Sequence, residues 1–457
     1  MAGEQLIGSV PDGWEYTTLG AACKRSGGDI QTGPFGSQLH ASDYVPIGVP
    51  SIMPLNIGDN RIVENGIARI TPADAKRLSR YLVRKGDIIY SRRGDVERRA
   101  LVREREDGWL CGTGCLRIRL GQRGVDPRYA SFYLGHPSVR EWVVRHAHGA
   151  TMPNLNTSIL AACPFVVPPE HEQCAIAHIL GTLDDKIELN RRMNETLEAM
   201  ARAVFKSWFV DFDPVRVKMP GNAGLQPGTS ETPPGWSLAL PGKIADLFPD
   251  RFEDSKLGEI PRGWKVGCVD DEFDLTMGQS PPGNTYNQAG DGLPFYQGRT
   301  DFGFRFPTRR VYCTAPTRLA KMGDTLISVR APVGDINMAA EDCAIGRGVA
   351  AVRHKTGGIS YSYQFMRAQE EVFERFEADG TVFGSIGKKD FHAISCVVPP
   401  RGLVVEFERR LAAVDNRIEV TERETRTHAA LRDTLLPRLI SGELRLKDAE
   451  RFIGRAI

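Results

Sequence analysis

Five groups of residues in this 457-residue chain have types and spacings that could do chemistry. Gly387-Lys388 within GSIGKKD suggests a loop that cradles phosphates, but such a loop also needs a glycine five residues earlier, and position 382 is Val. Ser280-Pro281-Pro282-Gly283 echoes the Ser-Pro-Pro-aromatic sequence with which amino-methyltransferases hold a flipped base. Gly283 stands where the stacking ring would be, and no glycine-rich cofactor loop precedes it, so a turn is the better reading. Asp250 with Asp254-Ser255-Lys256 resembles a nuclease cluster only in composition, because the acids crowd into a Pro-rich stretch. Asp184 and Glu188, repeated as Asp415 and Glu419, share one helical face. Glu188 stands four before Arg192 and Glu419 four before Arg423, the order of surface ion pairs rather than of an acid–base couple. Cys111 and Cys115 have no second pair or histidine at zinc spacing, and nine scattered cysteines indicate no disulfide framework. The expectation is therefore a chain with no catalytic residues and no metal site.

The elements that would position any site are written twice. IGSVPDGWEYTTLG from Ile7 matches LGEIPRGWKVGCVD from Leu257, and KGDIIYSRRGDV from Lys85 matches MGDTLISVRAPVGDI from Met322. CGTG at Cys111 answers IGRG at Ile345, HGATMPNL at His148 answers DGTVFGSI at Asp379, FVVPP at Phe165 answers CVVPP at Cys396, and LDDKIELNRR at Leu183 answers VDNRIEVTER at Val414. The offset falls from 250 at Trp14/Trp264 to 237, then 234, and holds at 231 from Gly149/Gly380 onward. The front of each half accepts insertions and the back does not.

Each fixed element reads as a helix of about 40 residues opened by a Pro-Pro pair, at Pro168-Pro169 and Pro399-Pro400. Ile176, Leu180, Leu183, Ile187, Asn190, Asn194, Leu197, Ala201, Val204 and Trp208 recur at alternating four- and three-residue steps, as do Phe407, Leu411, Val414, Ile418, Thr421, Thr425, His428, Arg432, Leu435 and Leu439. Both seams turn polar in the middle, which fixes register at a cost in stability. Ser441-Gly442 supplies a stop for the second helix. A Pro/Gly-rich stretch between the halves reads as a linker.

In this order the chain resembles the specificity subunits of type I restriction-modification enzymes. The likeness rests on TGPFGSQLHASDY from Thr32, SRRGDV from Ser91, GATMPNLN from Gly149, FKSWFVDFDPV from Phe205, DLFPDRFEDSKLGEIPRGW from Asp246, SVRAPVGDIN from Ser328 and LLPRLISGEL from Leu435. The resemblance implies two target-recognition domains, each reading half of a split DNA site, and long helices that pair antiparallel and dock two methyltransferase subunits, with a motor-nuclease subunit joining. It places S-adenosylmethionine, ATP and Mg²⁺ on those partners. The expected fold is α+β: two mixed α/β target-recognition domains joined by an antiparallel coiled-coil pair in a pseudo-twofold repeat. The segments are 1–167, 168–212 (helix), 213–256 (linker), 257–398 and 399–457 (helix and tail). The rivals are a duplicated coiled-coil scaffold without a DNA role, an orphan methyltransferase-associated DNA-binding subunit, and a stand-alone adenine methyltransferase or nuclease, which would need the missing cofactor motif.

Charge locates the candidate DNA contacts. The net charge is only +2, but residues 61–105 hold 13 Lys/Arg against 6 Asp/Glu, and residues 299–330 hold 7 against 2. Arg outnumbers Lys 45 to 14, which suits bidentate contacts to guanine or phosphate, although a GC-rich genome raises the same ratio. The candidates are Ser91, Arg92, Arg93, Thr151, Asn154, Gln279, Ser328, Arg330, Arg347 and Thr381, with surface salt bridges to Asp95 or Asp335 as the alternative use of the arginines. Candidate partner-docking residues are Asp184, Lys186, Glu188, Trp208, Phe209, Asp415, Arg417 and Glu419, with internal packing as the alternative for the aromatic pair. The N-terminus lacks the layout of an export signal and no apolar run approaches a bilayer's width, so the expected location is the cytoplasm.

Overall fold

The structure is a computed structural model that describes residues 6–8, 10–121, 123–149, 152–219, 242–378 and 384–444. The chain divides into two compact units, Met1–Leu189 with Glu424–Ile457, and Asn190–Arg423. The five expected segments thus regroup, because each long helix contributes one part to each unit.

In the first unit, Glu15–Thr18 pairs antiparallel with Pro164–Val167, closing the mixed domain at its two ends. Between them lies a four-stranded sheet in the order Asp29–Thr32, Cys115–Arg119, Ile88–Ser91, Arg99–Leu101. A second sheet runs Tyr44–Val45, Ala68–Ile70, Val49–Ile52, Leu110–Cys111. Ile88–Ser91 is buried along its whole length, as a central strand must be, and its sequence IIYS supplies the β-branched and aromatic residues that suit that place. The second unit repeats the order. Lys265–Cys268 pairs with Ser395–Val398, and Phe273–Met277, Val349–His354, Thr325–Ser328, Ile336–Met338 form the first sheet. Tyr286–Asn287, Tyr312–Cys313, Leu293–Tyr296, Cys343–Ile345 form the second, with Leu319–Ala320 added at its edge. The duplication read from short sequence matches is a duplication of strand order.

The long helices span Glu170–Phe209 and Arg401–Ile440. Each follows its Pro-Pro pair, and Glu170 and Glu172 place negative charge on the exposed N–H groups of the first turn. The second ends where expected: Gly442 takes φ +73°, and the N–H of Leu444 returns to the Arg438 carbonyl. Within the first unit, Ile176, Leu180 and Leu183 share one core with Leu435, Leu436 and Leu439. Within the second, Ala201, Val204 and Trp208 share a core with Leu403, Phe407 and Leu411. There Asn190 Nδ2 donates to the Thr421 carbonyl at 3.4 Å, while Trp208 lies 6.0 Å from the Phe407 ring, so the partner's number falls as the first helix rises.

The expected linker is only partly a linker. Asp213–Lys218 and Gly242–Ala245 are helical, Phe252–Ser255 and Gly258–Pro261 form a hairpin, and Val215, Ile244 and Phe248 are buried in the second unit's core. Residues 220–241 lie outside the described residues.

Arg305, 1% exposed, ties the second unit's sheet domain to the helices. Its guanidinium pairs with Glu198 and donates to Asp415 at 3.1 Å, over the ring of Tyr363 at 4.0 Å. Gln364 and Arg367 donate to the other Glu198 oxygen at 2.8 and 2.9 Å. Burial pushes the Asp415 carboxyl above its ordinary range, and Arg305 pulls it back. Arg305→Met leaves these acids without their main counter-charge, so unfolding in denaturant should show a loss of about 3–5 kcal/mol. Arg305→Met with Glu198→Leu and Asp415→Leu should recover much of that; equal losses in both variants would mean that the charges are not what couples them.

Candidate nucleic-acid interface

Four loops converge at the ends of the first sheet in each unit, held by backbone bonds. In the first unit, Gly33 N–H donates to the Cys115 carbonyl at 3.0 Å and Thr113 Oγ1 to the Pro34 carbonyl at 3.1 Å. Arg92 N–H donates to the Gly114 carbonyl at 2.8 Å, and Leu155 N–H donates to the Arg92 carbonyl at 2.8 Å. Arg93 bridges Asn154. In the second unit, Gly278 N–H donates to the Val349 carbonyl, Val329 N–H to Gly348 and Ile386 N–H to Val329, at 2.9, 3.0 and 3.1 Å, while Arg330 bridges Ser385. Arg92/Val329, Gly114/Gly348 and Leu155/Ile386 stand at the offsets read from the sequence, 237, 234 and 231, and Gly33/Gly278, 245 apart, falls in the front part where insertions accumulate.

Two close approaches explain the glycines. A Cβ on Gly33 would penetrate the Gly112 carbonyl, and one on Gly278 would penetrate that of Gly346. Neither position tolerates a side chain without separating its two loops.

Arg93 and Arg330 are exposed, as are Gln279 and Arg347. The alternative use of the arginines fails, because Asp95 pairs with Arg98 at 2.5 Å and Asp335 with Arg299 at 3.2 Å. Among the described residues, Arg93, Arg330 and Arg347 have no acidic partner within 4.0 Å. Arg92 is half-buried with Nε lacking a hydrogen-bond partner, and Asn154 is half-buried beside it.

The two candidate serines do not face solvent. Ser91 and Ser328 are each 1% exposed. Ser91 Oγ donates to the Arg93 carbonyl at 2.9 Å, and Ser328 Oγ donates to Pro332 at 2.8 Å while accepting from Asp335 N–H, so both brace the arginine loop from within. Thr151 and Thr381 lie outside the described residues. Residues with no signal beyond an apolar type in a polar loop also surface here: Phe35 is 57% and Met152 62% exposed.

Most of the basic stretches are spent internally. Arg69 pairs with Glu64, Arg77 with Asp74, Arg103 with Asp185, Arg309 with Glu341 and Arg310 with Asp301.

The partner-docking candidates divide. Asp184 accepts from Arg432 at 2.8 Å and Asn60 at 3.2 Å, and Glu188 lies 3.8 Å from Arg61. Asp415 is held by Arg305. Trp208 and Phe209 pack against Phe407 inside the second unit. All five bind their own chain, which corrects the expectation that they face a partner. Lys186 and Arg417 are exposed, and half-exposed Glu419 pairs with Arg423 at 2.7 Å, as its spacing implied. Among the described residues no helix is long and apolar enough to cross a membrane.

Comparison with known proteins shows what the chain is similar to. Residues 11–199 match the family model described as the type I restriction modification DNA specificity domain. A Methanocaldococcus jannaschii protein named as the specificity subunit of type I restriction enzyme MjaX is 26% identical over 96% of this chain and 96% of its own. The HindI specificity subunit of Haemophilus influenzae is 25% identical over 86% of this chain and 95% of its own. Among solved structures, the type I S subunit from M. genitalium superposes with a TM-score of 0.56 at 15% identity, covering 95% of this chain and 98% of that one, a likeness of fold.

The close approach at Gly278 is itself testable. Gly278→Ala should lower stability by about 1–3 kcal/mol in denaturant unfolding, the cost of forcing a methyl into packed backbone. Gly283→Ala, with nothing within 4 Å of the added atom, should change stability little; equal effects would show that the packing around Gly278 is looser than this geometry requires.

Proposed function

We propose, for a chain recognised as a type I restriction-modification specificity subunit, that it is the non-catalytic DNA reader of such a complex, binding a bipartite site with one recognition domain per half-site. The observation that carries this is the four-loop cluster, built twice on one strand order, each copy presenting an exposed arginine that no acid among the described residues neutralises: Arg93 and Arg330. Loops fixed to a sheet by backbone bonds hold such side chains in the fixed register that contacts to the phosphate backbone set for a DNA reader. The long helices, about 60 Å each at 1.5 Å per residue, act as a paired coiled-coil spacer. Lys186, Arg417 and Glu419 are the helix residues through which methyltransferase subunits would dock, with restriction subunits joining them. S-adenosylmethionine, ATP and Mg²⁺ belong to those partners, and the work is done where the DNA is, in the cytoplasm.

Replacing residues 20–150 with the equivalent region of a relative tests the division of labour. Methylation mapping of the assembled complex should show one half of the target changed and the other kept, whereas simultaneous change in both halves contradicts one domain per half-site. The purified chain alone, given S-adenosylmethionine and target DNA, should transfer no methyl group, and cofactor-dependent transfer without added methyltransferase subunits would refute the non-catalytic role.

A further inference from the structure

The Gly-x-Gly loop at the centre of each cluster has only one side chain it can vary. In the first unit a Cβ on Gly112 would lie 2.6 Å from Ser51 Oγ and 2.7 Å from the Ile52 carbonyl, and Gly114 takes φ +83°. In the second, a Cβ on Gly346 would lie 3.1 Å from Gln297 Cα, and one on Gly348 would penetrate the Gln297 carbonyl. Close packing at Gly112, Gly346 and Gly348, and the left-handed backbone at Gly114, thus disfavour side chains on both flanks in both units. What remains is the middle residue, Thr113 in one copy and Arg347 in the other.

These two positions differ where their surroundings agree. Arg93 and Arg330 are the same residue at the same place in the repeat, beside the same backbone bonds, as a role common to both half-sites requires. Contacts to phosphate have that character, since they carry no sequence information. The middle residue is where the copies part. Thr113 is half-buried and gives its hydroxyl proton to the Pro34 carbonyl. Arg347 is exposed and unpaired by any acid among the described residues, and its backbone N–H is tethered to Ser280 Oγ at 3.4 Å. An exposed guanidinium with free donors, on a loop tethered through its backbone, suits the two acceptors, O6 and N7, on a guanine edge.

We infer that the middle residue of the Gly-x-Gly loop is a specificity-determining position, and that Arg347 reads a guanine in the half-site of the second unit. This rests on the DNA-reading role proposed above. The test is selection from a randomised duplex library by the full chain assembled with methyltransferase subunits, at two salt concentrations.

Wild-type complex should select a bipartite site with an invariant guanine in one half. Arg347→Gln should lower the preference for guanine at that single position by roughly 5- to 100-fold and move it toward adenine, whose edge suits an amide, leaving every other position as it was. Arg330→Gln should instead weaken all sequences alike and reduce the salt dependence by about one ion. The inference is overturned if Arg347→Gln behaves like Arg330→Gln, or leaves the selected site unchanged while thermal unfolding shows a native fold. Failure of the wild-type complex to select any sequence is a separate result, and it would remove the DNA-reading role itself.

Discussion

A guanidinium buried to 1% exposure cannot be left without counter-charge, and much of the second unit is arranged around meeting that demand for Arg305. Glu198 comes from one long helix, Asp415 from the other, and Tyr363, Gln364 and Arg367 from the helix Ile359–Arg367 of the recognition domain. The first unit solves the same joint with the charges redistributed. There the helices carry both signs, Asp184 and Arg432, and the recognition domain adds Asn60 and Asp59. Buried ion pairs add little net stability against apolar packing of the same volume, but they penalise every arrangement that leaves a charge alone. Each recognition domain is therefore matched to its own stretch of helix. Equal strand order does not make the two domains interchangeable.

That matching explains what the sequence showed and what it hid. The duplication, the two helices, their seams and the stop at Gly442 were legible because each depends on local spacing or on a residue with one backbone role. Gly33, Gly278 and the two Gly-x-Gly loops left the same mark, since a missing Cβ is visible in sequence wherever backbones touch. The arginines were not legible in that way. A count over residues 299–330 sees seven positive charges, but Arg305 is neutralised by Glu198, 107 residues away, and Arg309 by Glu341. A window cannot see partners that only folding brings together. Ser91 and Ser328 misled for a related reason: they stand beside the exposed arginines in sequence, yet each ends a central strand buried along its whole length, and its hydroxyl turns back onto a loop carbonyl. Trp208 and Phe209 show the limit of reading excess apolar bulk as a docking surface, because the Ile244 and Phe248 segment, read as linker, supplies part of the core that they fill.

The consumption of charge inside the fold also bears on how such a chain would use DNA. Sequence-independent affinity grows with each phosphate neutralised, and a protein with a broad basic face is held by any duplex. Here the net charge is +2, and most arginines of the two basic stretches already face carboxylates. What remains for the backbone is a few positions per unit, mounted on loops that the sheet holds still. On the proposed reading, with a small non-specific term, discrimination would fall on the side chains at the loop tips, where a single misplaced donor costs a contact rather than a fraction of a diffuse field. On that reading low bulk charge and backbone-held loops would be two parts of one arrangement: the first would keep the wrong sequences weak, and the second would let the right one be told apart.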